Sequence, residues 1–229
     1  MKHKQKPVRV RTNLPEEVFA LLGHHGCEIR YRDAEFAEIQ YPDHALKFHK
    51  EYRPHQEHVS RVEIAKIEFE EIYEPATELT RIVVDPYYVN RFAAAHNDKV
   101  RKARGLLEAK RQQTGEIQLP QSLLPEIRAF LKHHGCQLSR HETGGFSLRY
   151  PEHTEVEYQG TKGQKHILFE VIFPDGEKIQ TVLNRNNREI SPLIQSDVLR
   201  AFCHAHWEMV AQEKERAQGG EETHEANEK

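Results

Sequence analysis

The sequence predicts an α+β fold in which one unit, a helix, an antiparallel sheet of four to five strands and a closing helix, occurs twice as a tandem duplication. Three observations carry this. His24-His25-Gly26-Cys27 returns as His133-His134-Gly135-Cys136. Directly after each copy the apolar spacing changes from helical to alternating. Both copies then reach a Tyr-Pro-acid-His step, Tyr41-Pro42-Asp43-His44 and Tyr150-Pro151-Glu152-His153, at the same separation from the Gly-Cys pair. The organisation that follows is a mobile basic arm over 1–13, a first unit over 14–100, a basic, partly helical linker over 101–123, a second unit over 124–214, and a disordered acidic tail over 215–229.

In the first unit Leu14-Pro15-Glu16-Glu17 opens a helix, with Asn13 as cap and acids in the first turn, where they meet the positive dipole end. Leu124-Pro125-Glu126 answers it with one residue of slippage. Val18, Leu21, Leu22 and His25 share a face, and Gly26 stops the helix in the left-handed conformation that a Cβ disfavours. Cys27, Ile29, Tyr31 and then Ala37, Ile39, Tyr41 alternate as strands, repeated as Cys136, Leu138 and Phe146, Leu148, Tyr150. Further on, Ile67, Phe69, Glu70, Ile72, Tyr73 answers Ile167, Phe169, Glu170, Ile172, Phe173, and Leu79 and Ile82 answer Ile179 and Val182. This matching makes the first copy longer around Tyr52–Arg61 and the second longer around Asn184–Pro192, and Pro174-Asp175-Gly176 reads as a hairpin turn. Asp85-Pro86 and Ser191-Pro192 each start a closing helix as cap plus proline. Val89, Phe92, Ala93, His96, Val100 on the first helix corresponds to Leu199, Phe202, Cys203, His206, Val210 on the second.

Composition excludes several classes. With 37% apolar and 30% charged residues, a mean hydropathy of -0.80 and no apolar run approaching the roughly 20 residues of a membrane span, no membrane partner is expected. A net charge of -3 argues against a globally basic nucleic-acid binder. Three cysteines, two at matched positions, predict no disulfide framework, and the basic start runs into a helix signal, so a cytoplasmic location is expected. No Gly-x-Ser-x-Gly nucleophile signature, no cysteine in a recognisable catalytic context and no Walker loop is present, and no cofactor is expected.

The duplicated histidines and cysteines invite a zinc reading, since imidazole and thiolate suit that ion: His25, Cys27, His44 and His96, with His134, Cys136, His153 and His206. Their spacing fits no compact zinc motif, and helix-end and core roles are the preferred reading, so no metal is expected. His55-Gln56-Glu57-His58 lies in a polar loop. Glu70 and Glu170, matched between copies, read as a solvated strand face, although one acid of the Glu70-Glu71 pair is a candidate for a buried ion pair. Basic residues gather in the linker, at Arg101, Lys102 and Arg104, and in Arg185-Asn186-Asn187-Arg188, a loop that reads as special to the second copy. Exposed features found in one copy alone are free to serve a partner, which makes these seven residues the candidate binding set.

Phe130-Leu131-Lys132-His133-His134-Gly135-Cys136-Gln137-Leu138-Ser139-Arg140, followed by Gly144 and Pro151, resembles the front of the small HicA-type RNA-cleaving toxins. That resemblance implies a double-stranded-RNA-binding-domain-like fold. The toxins' catalytic histidine falls where this chain has Gly145 and Phe146, which implies a non-cleaving relative. The functional expectation is a non-catalytic binding or adaptor protein with an unknown macromolecular partner, protein favoured over nucleic acid. A nucleic-acid-binding regulator is the alternative, and a metal-dependent enzyme comes third.

Overall fold

A computed structural model describes residues 6–141, 144–163 and 165–225. The chain is α+β and forms two compact units, Met1–Arg111 and Gln112–Lys229. The first contains β1 (Val8–Arg11), α1 (Glu16–His24), β2 (Glu28–Tyr31), β3 (Phe36–Gln40), β4 (Leu46–Tyr52), β5 (His58–Ile64), β6 (Ile67–Glu74), β7 (Leu79–Val84), α2 (Pro86–Ala95) and α3 (Asn97–Thr114), whose last turn crosses the division. The second contains β8 (Ile117–Leu119), α4 (Pro125–His133), β9 (Gln137–Arg140), β10 (Phe146–Arg149), β11 (Glu155–Lys162), β12 (His166–Ile172), β13 (Lys178–Asn184), β14 (Ile190–Leu193), α5 (Ser196–Ala205) and α6 (Trp207–Glu225).

The element order is the same in both units, and so are the strand orders: β1-β3-β2 with β4-β5-β6-β7, and β8-β10-β9 with β11-β12-β13-β14. Each unit therefore has a three-stranded and a four-stranded antiparallel sheet where the sequence predicts a single one. The first strand of each three-stranded sheet lies in a stretch expected to be unstructured. Val8–Arg11, in the predicted arm, pairs with β3, and Ile117–Leu119, in the predicted linker, pairs with β10. Both alternate apolar and polar residues, so pairing buries Val10, Ile117 and Leu119. Residues 1–5 of the arm and 226–229 of the tail lie outside the described residues, whereas the predicted tail is helical as far as Glu225. Glu215, Arg216, Ala217 and Gln218 at its start are favourable helix residues.

The shared tetrapeptide is a helix stop. Cys27 N donates to Leu22 O at 3.0 Å and Gly26 N to Gly23 O at 3.2 Å, and the same pair of bonds runs from Cys136 to Leu131 and from Gly135 to Lys132. This is a Schellman cap, and it needs the positive φ found at Gly26 (89°) and Gly135 (81°). The predicted cap at Asn13 does not form. Pro15 and Leu124 occupy the capping positions with no side-chain bond, so α1 and α4 begin in register without slippage. Asp85 does cap α2, accepting from Tyr87 N at 2.8 Å, but Ser191-Pro192 lies in β14, and α5 starts only at Ser196. The closing helix is broken in both units, at His96 and His206, where the backbone leaves the helical region at φ -130° and -126°.

Strand registers correct the matching of the two units. β4 and β11 both open their meanders and both carry a bulge, after His49 and after Tyr158. From Val8/Ile117 through Gly26/Gly135, Tyr41/Tyr150 and Ser60/Phe169 the separation between equivalent residues is constant. It grows by one in a single hairpin, Ala65-Lys66 against Pro174-Asp175-Gly176, and then holds through Phe92/Phe202 and Val100/Val210. Strand β6 thus corresponds to β13, and Ile67-Phe69 is not the counterpart of Ile167-Phe169. No insertion exists at Tyr52–Arg61 or at Asn184–Pro192.

Candidate functional site

Correct register shows what the first unit has that its fold does not require. Across β4, β5, β6 and β7 one sheet face carries two cross-strand rows, His49, Ser60, Glu71, Ile82 and then Tyr52, His58, Tyr73, Thr80. The equivalent rows of the second unit are Tyr158, Phe169, Thr181, Pro192 and Thr161, Ile167, Leu183, Ile190. The same backbone is thus satisfied by a largely apolar face. In the first unit the polar residues line a cavity of about 650 Å³, together with Arg9, Tyr41 and Lys47.

Glu71 sits at the base, 2% exposed, in an ion pair with Lys47. Phe69, two residues earlier and so on the same face of β6, is a core residue, and the strand therefore carries this carboxylate inward beside apolar side chains. Burying it requires a paired charge and bonded oxygens. Lys47 satisfies Oε1, but Oε2 is buried without a hydrogen bond, as is the Tyr41 hydroxyl. Burial first, and the Glu71 carboxylate second, push the Tyr41 phenol well above its usual range, although no well-aligned bond closes between the two groups. The protonated Tyr41 phenol is a donor beside the Glu71 carboxylate, and both residues line the cavity. Towards solvent, rings continue the face: Tyr52 lies 4.4 Å from His49 and 4.7 Å from His58, and His58 lies 5.9 Å from Tyr73.

Ser60, His49 and Glu71 are residue types of a nucleophilic relay, but their order is wrong for one. In such a relay the imidazole stands between hydroxyl and carboxylate. Here Ser60 stands between the other two, and no hydrogen bond links His49 to Ser60 among the described residues.

The residues singled out from sequence are placed elsewhere. Arg185–Arg188 forms the β13–β14 turn, and its counterpart is the equally long Pro75–Glu78 turn, with a left-handed residue at the same place (Glu78 φ 54°, Arg188 φ 59°). The loop is therefore not an insertion special to the second unit. Asn187 is spent within it, donating to Glu189 at 2.8 Å and accepting from Glu189 N at 3.2 Å, and Asn186 N is tied to Asn184 Oδ1 at 3.0 Å. On α3, Arg101 pairs with Asp98 at 3.5 Å, Arg104 pairs with Glu16 of α1, and Lys102 is exposed. The linker bases belong to one unit and the loop to the other. Glu70 and Glu170 are not counterparts. Glu70 takes Lys50 at 2.6 Å, Glu170 faces Lys178 at 3.6 Å, and the buried member of the acid pair is Glu71.

Among the described residues no three histidines, cysteines or acids come together as a metal site. His24, Phe92 and His96 instead form a ring stack, with centroids 4.6–5.4 Å apart, that recurs as His133, Phe202 and His206 at 4.2–5.4 Å. What both units share serves the fold. His25 is half-buried beside this stack, His134 lies against Phe173 and bonds Asp175 at 2.5 Å, and His44 and His153 are exposed in turns. Cys27 and Cys136 are free and buried, and burial pushes both thiols up to about 12. A thiol reagent at pH 8 is therefore expected to modify at most the half-buried Cys203 in native protein and all three cysteines after denaturation. Rapid native reaction of two or more thiols is the opposite outcome.

Comparison with family models, curated proteins and solved structures finds no match. The neighbours of β10 are β9 and the preceding β8, and β11 begins the other sheet. No described helix is long and apolar enough to cross a membrane.

Proposed function

We propose that this chain is a non-catalytic, cytoplasmic binding protein whose first unit recognises a protein partner through the Glu71–Tyr41 cavity, the second unit being its apolar-faced equivalent. One observation carries the reading: at matched positions of one fold, Lys47, Ser60, His58, Glu71 and Tyr73 replace Val156, Phe169, Ile167, Thr181 and Leu183. Giving up that much apolar burial and placing a carboxylate in the core costs stability, which selection tolerates where the polar groups meet a ligand. The Glu71 carboxylate and the Tyr41 hydroxyl that line the cavity suit an N–H donor such as a backbone amide, a lysine or an arginine. Exposed Tyr52 on β4, an edge strand, supplies aromatic surface of the kind that protein interfaces favour on the face of the cavity.

The test is comparative capture from the native cell extract. Full-length protein is expected to retain a specific partner that the cavity-filled variant carrying Ser60→Phe and Glu71→Thr loses and the Arg185→Ala/Arg188→Ala variant keeps. Retention by the filled, folded variant refutes the assignment. Loss on changing the two arginines would favour the turn instead, and steep weakening with salt would indicate phosphate contacts.

A further inference from the structure

The second unit holds its own cavity, of about 520 Å³, and its chemistry is opposite in kind. Among the described residues Arg128 and Lys132 on α4, Arg140 on β9 and Arg216 on α6 line it with one carboxylate, Glu213 of α6. Equivalent positions of the first unit carry Phe19, Gly23, Tyr31, Leu106 and Ala103, and there the rings of Phe19 and Tyr31 meet edge to face at 5.7 Å. The helix seam of this fold is thus apolar in one unit and strongly cationic in the other, so the charges are not a requirement of the fold.

Their balance is incomplete. Glu213, 5% exposed, receives Lys132 and Arg216 Nη1 (3.2 Å) on one oxygen, while Arg128 Nε stands 3.7 Å from the other. Arg128 is itself 8% exposed, lies 4.9 Å over the Phe146 ring, and reaches Glu213 O at 3.5 Å, yet its Nε makes no hydrogen bond. Arg140 has no ion pair among the described residues. A guanidinium more than nine-tenths buried, with an unbonded donor and one carboxylate shared three ways, is costly unless an anion completes its coordination. Arginine forks with a lysine beside them suit carboxylate and phosphate oxygens.

We infer that this cavity binds a small organic polyanion carrying two or more carboxylate or phosphate groups, independently of the cavity in the first unit. Calorimetric titration of the full-length chain in low-chloride buffer, with citrate and separately with pyrophosphate, tests it. Saturable one-to-one binding of at least one probe is expected, and which probe binds more tightly distinguishes carboxylate from phosphate ligands. Arg140→Ala should weaken it about tenfold or more, the loss of one charge-assisted contact. Arg128→Phe with Glu213→Ala, which writes the first unit's Phe19 and Ala103 into the second, should abolish it. No saturable binding of either probe by wild type overturns the inference, and so does undiminished affinity in Arg140→Ala, an exposed position whose loss leaves the fold standing. Undiminished affinity in the folded double variant overturns it equally.

Discussion

Replacing Lys47 with methionine is expected to lower the stability of the first unit by about 3 kcal/mol, the low end of the cost of removing one partner from a buried ion pair. The low end applies because Lys47 is itself partly exposed while Glu71 is not. Without Lys47 the carboxylate keeps a buried environment in which Oε2 already lacks a bond, and Oε1 then loses its own. Lys47→Val together with Glu71→Thr, the residues of β11 and β13, should recover most of the loss, since the second unit shows that the backbone accepts them. Denaturant unfolding of the single and double variants reads this directly. A single variant within about 0.5 kcal/mol of wild type would mean that the pair is solvated, not buried.

Phe169→Ala is expected to destabilise the second unit by about 3–5 kcal/mol, whereas Ser60→Ala, at the equivalent place, should change the first by less than about 1 kcal/mol. Phe169 is fully buried with Ile167 and Val171 around it, so truncation leaves a cavity. Ser60 already borders one, and its hydroxyl makes no hydrogen bond among the described residues. Equal effects at the two positions would show that the faces are built alike and would remove the asymmetry on which the functional reading rests.

Local signals in this sequence are strong and long-range ones weak. Gly26 and Gly135, the Asp85-Pro86 cap and the Pro174–Gly176 turn act within a few residues, and each is where its residue types require. The strands Val8–Arg11 and Ile117–Leu119 also carry a period of two, but over a short span, among bases in the first case and between Gly115 and Pro120 in the second. Matching of the meanders fails for a different reason. Every strand alternates, so Ile-x-Phe in β6 resembles Ile-x-Phe in β12, and only ladder pairing shows that they are the third and second strands of their sheets. That matching sets Glu70 against Glu170 and does not distinguish Glu71, which is the buried member of the acid pair. One signal was available: Glu71 lies two residues after Phe69, in the inward phase of the strand, where a carboxylate calls for an explanation. Its partner Lys47 is two strands away, a proximity that only the fold creates.

Backbone hydrogen exchange of the full-length chain, free and bound to the protein it captures, tests most directly whether the first unit's cavity is the recognition site. Binding should slow exchange over β4 to β7, residues 46–84, with the strongest protection at Tyr52, Ser60, Glu71 and Tyr73, and should leave residues 155–193 unchanged. Protection confined to Arg185–Arg188 or to Arg101–Arg104, with β4 to β7 exchanging as in the free protein, would contradict it.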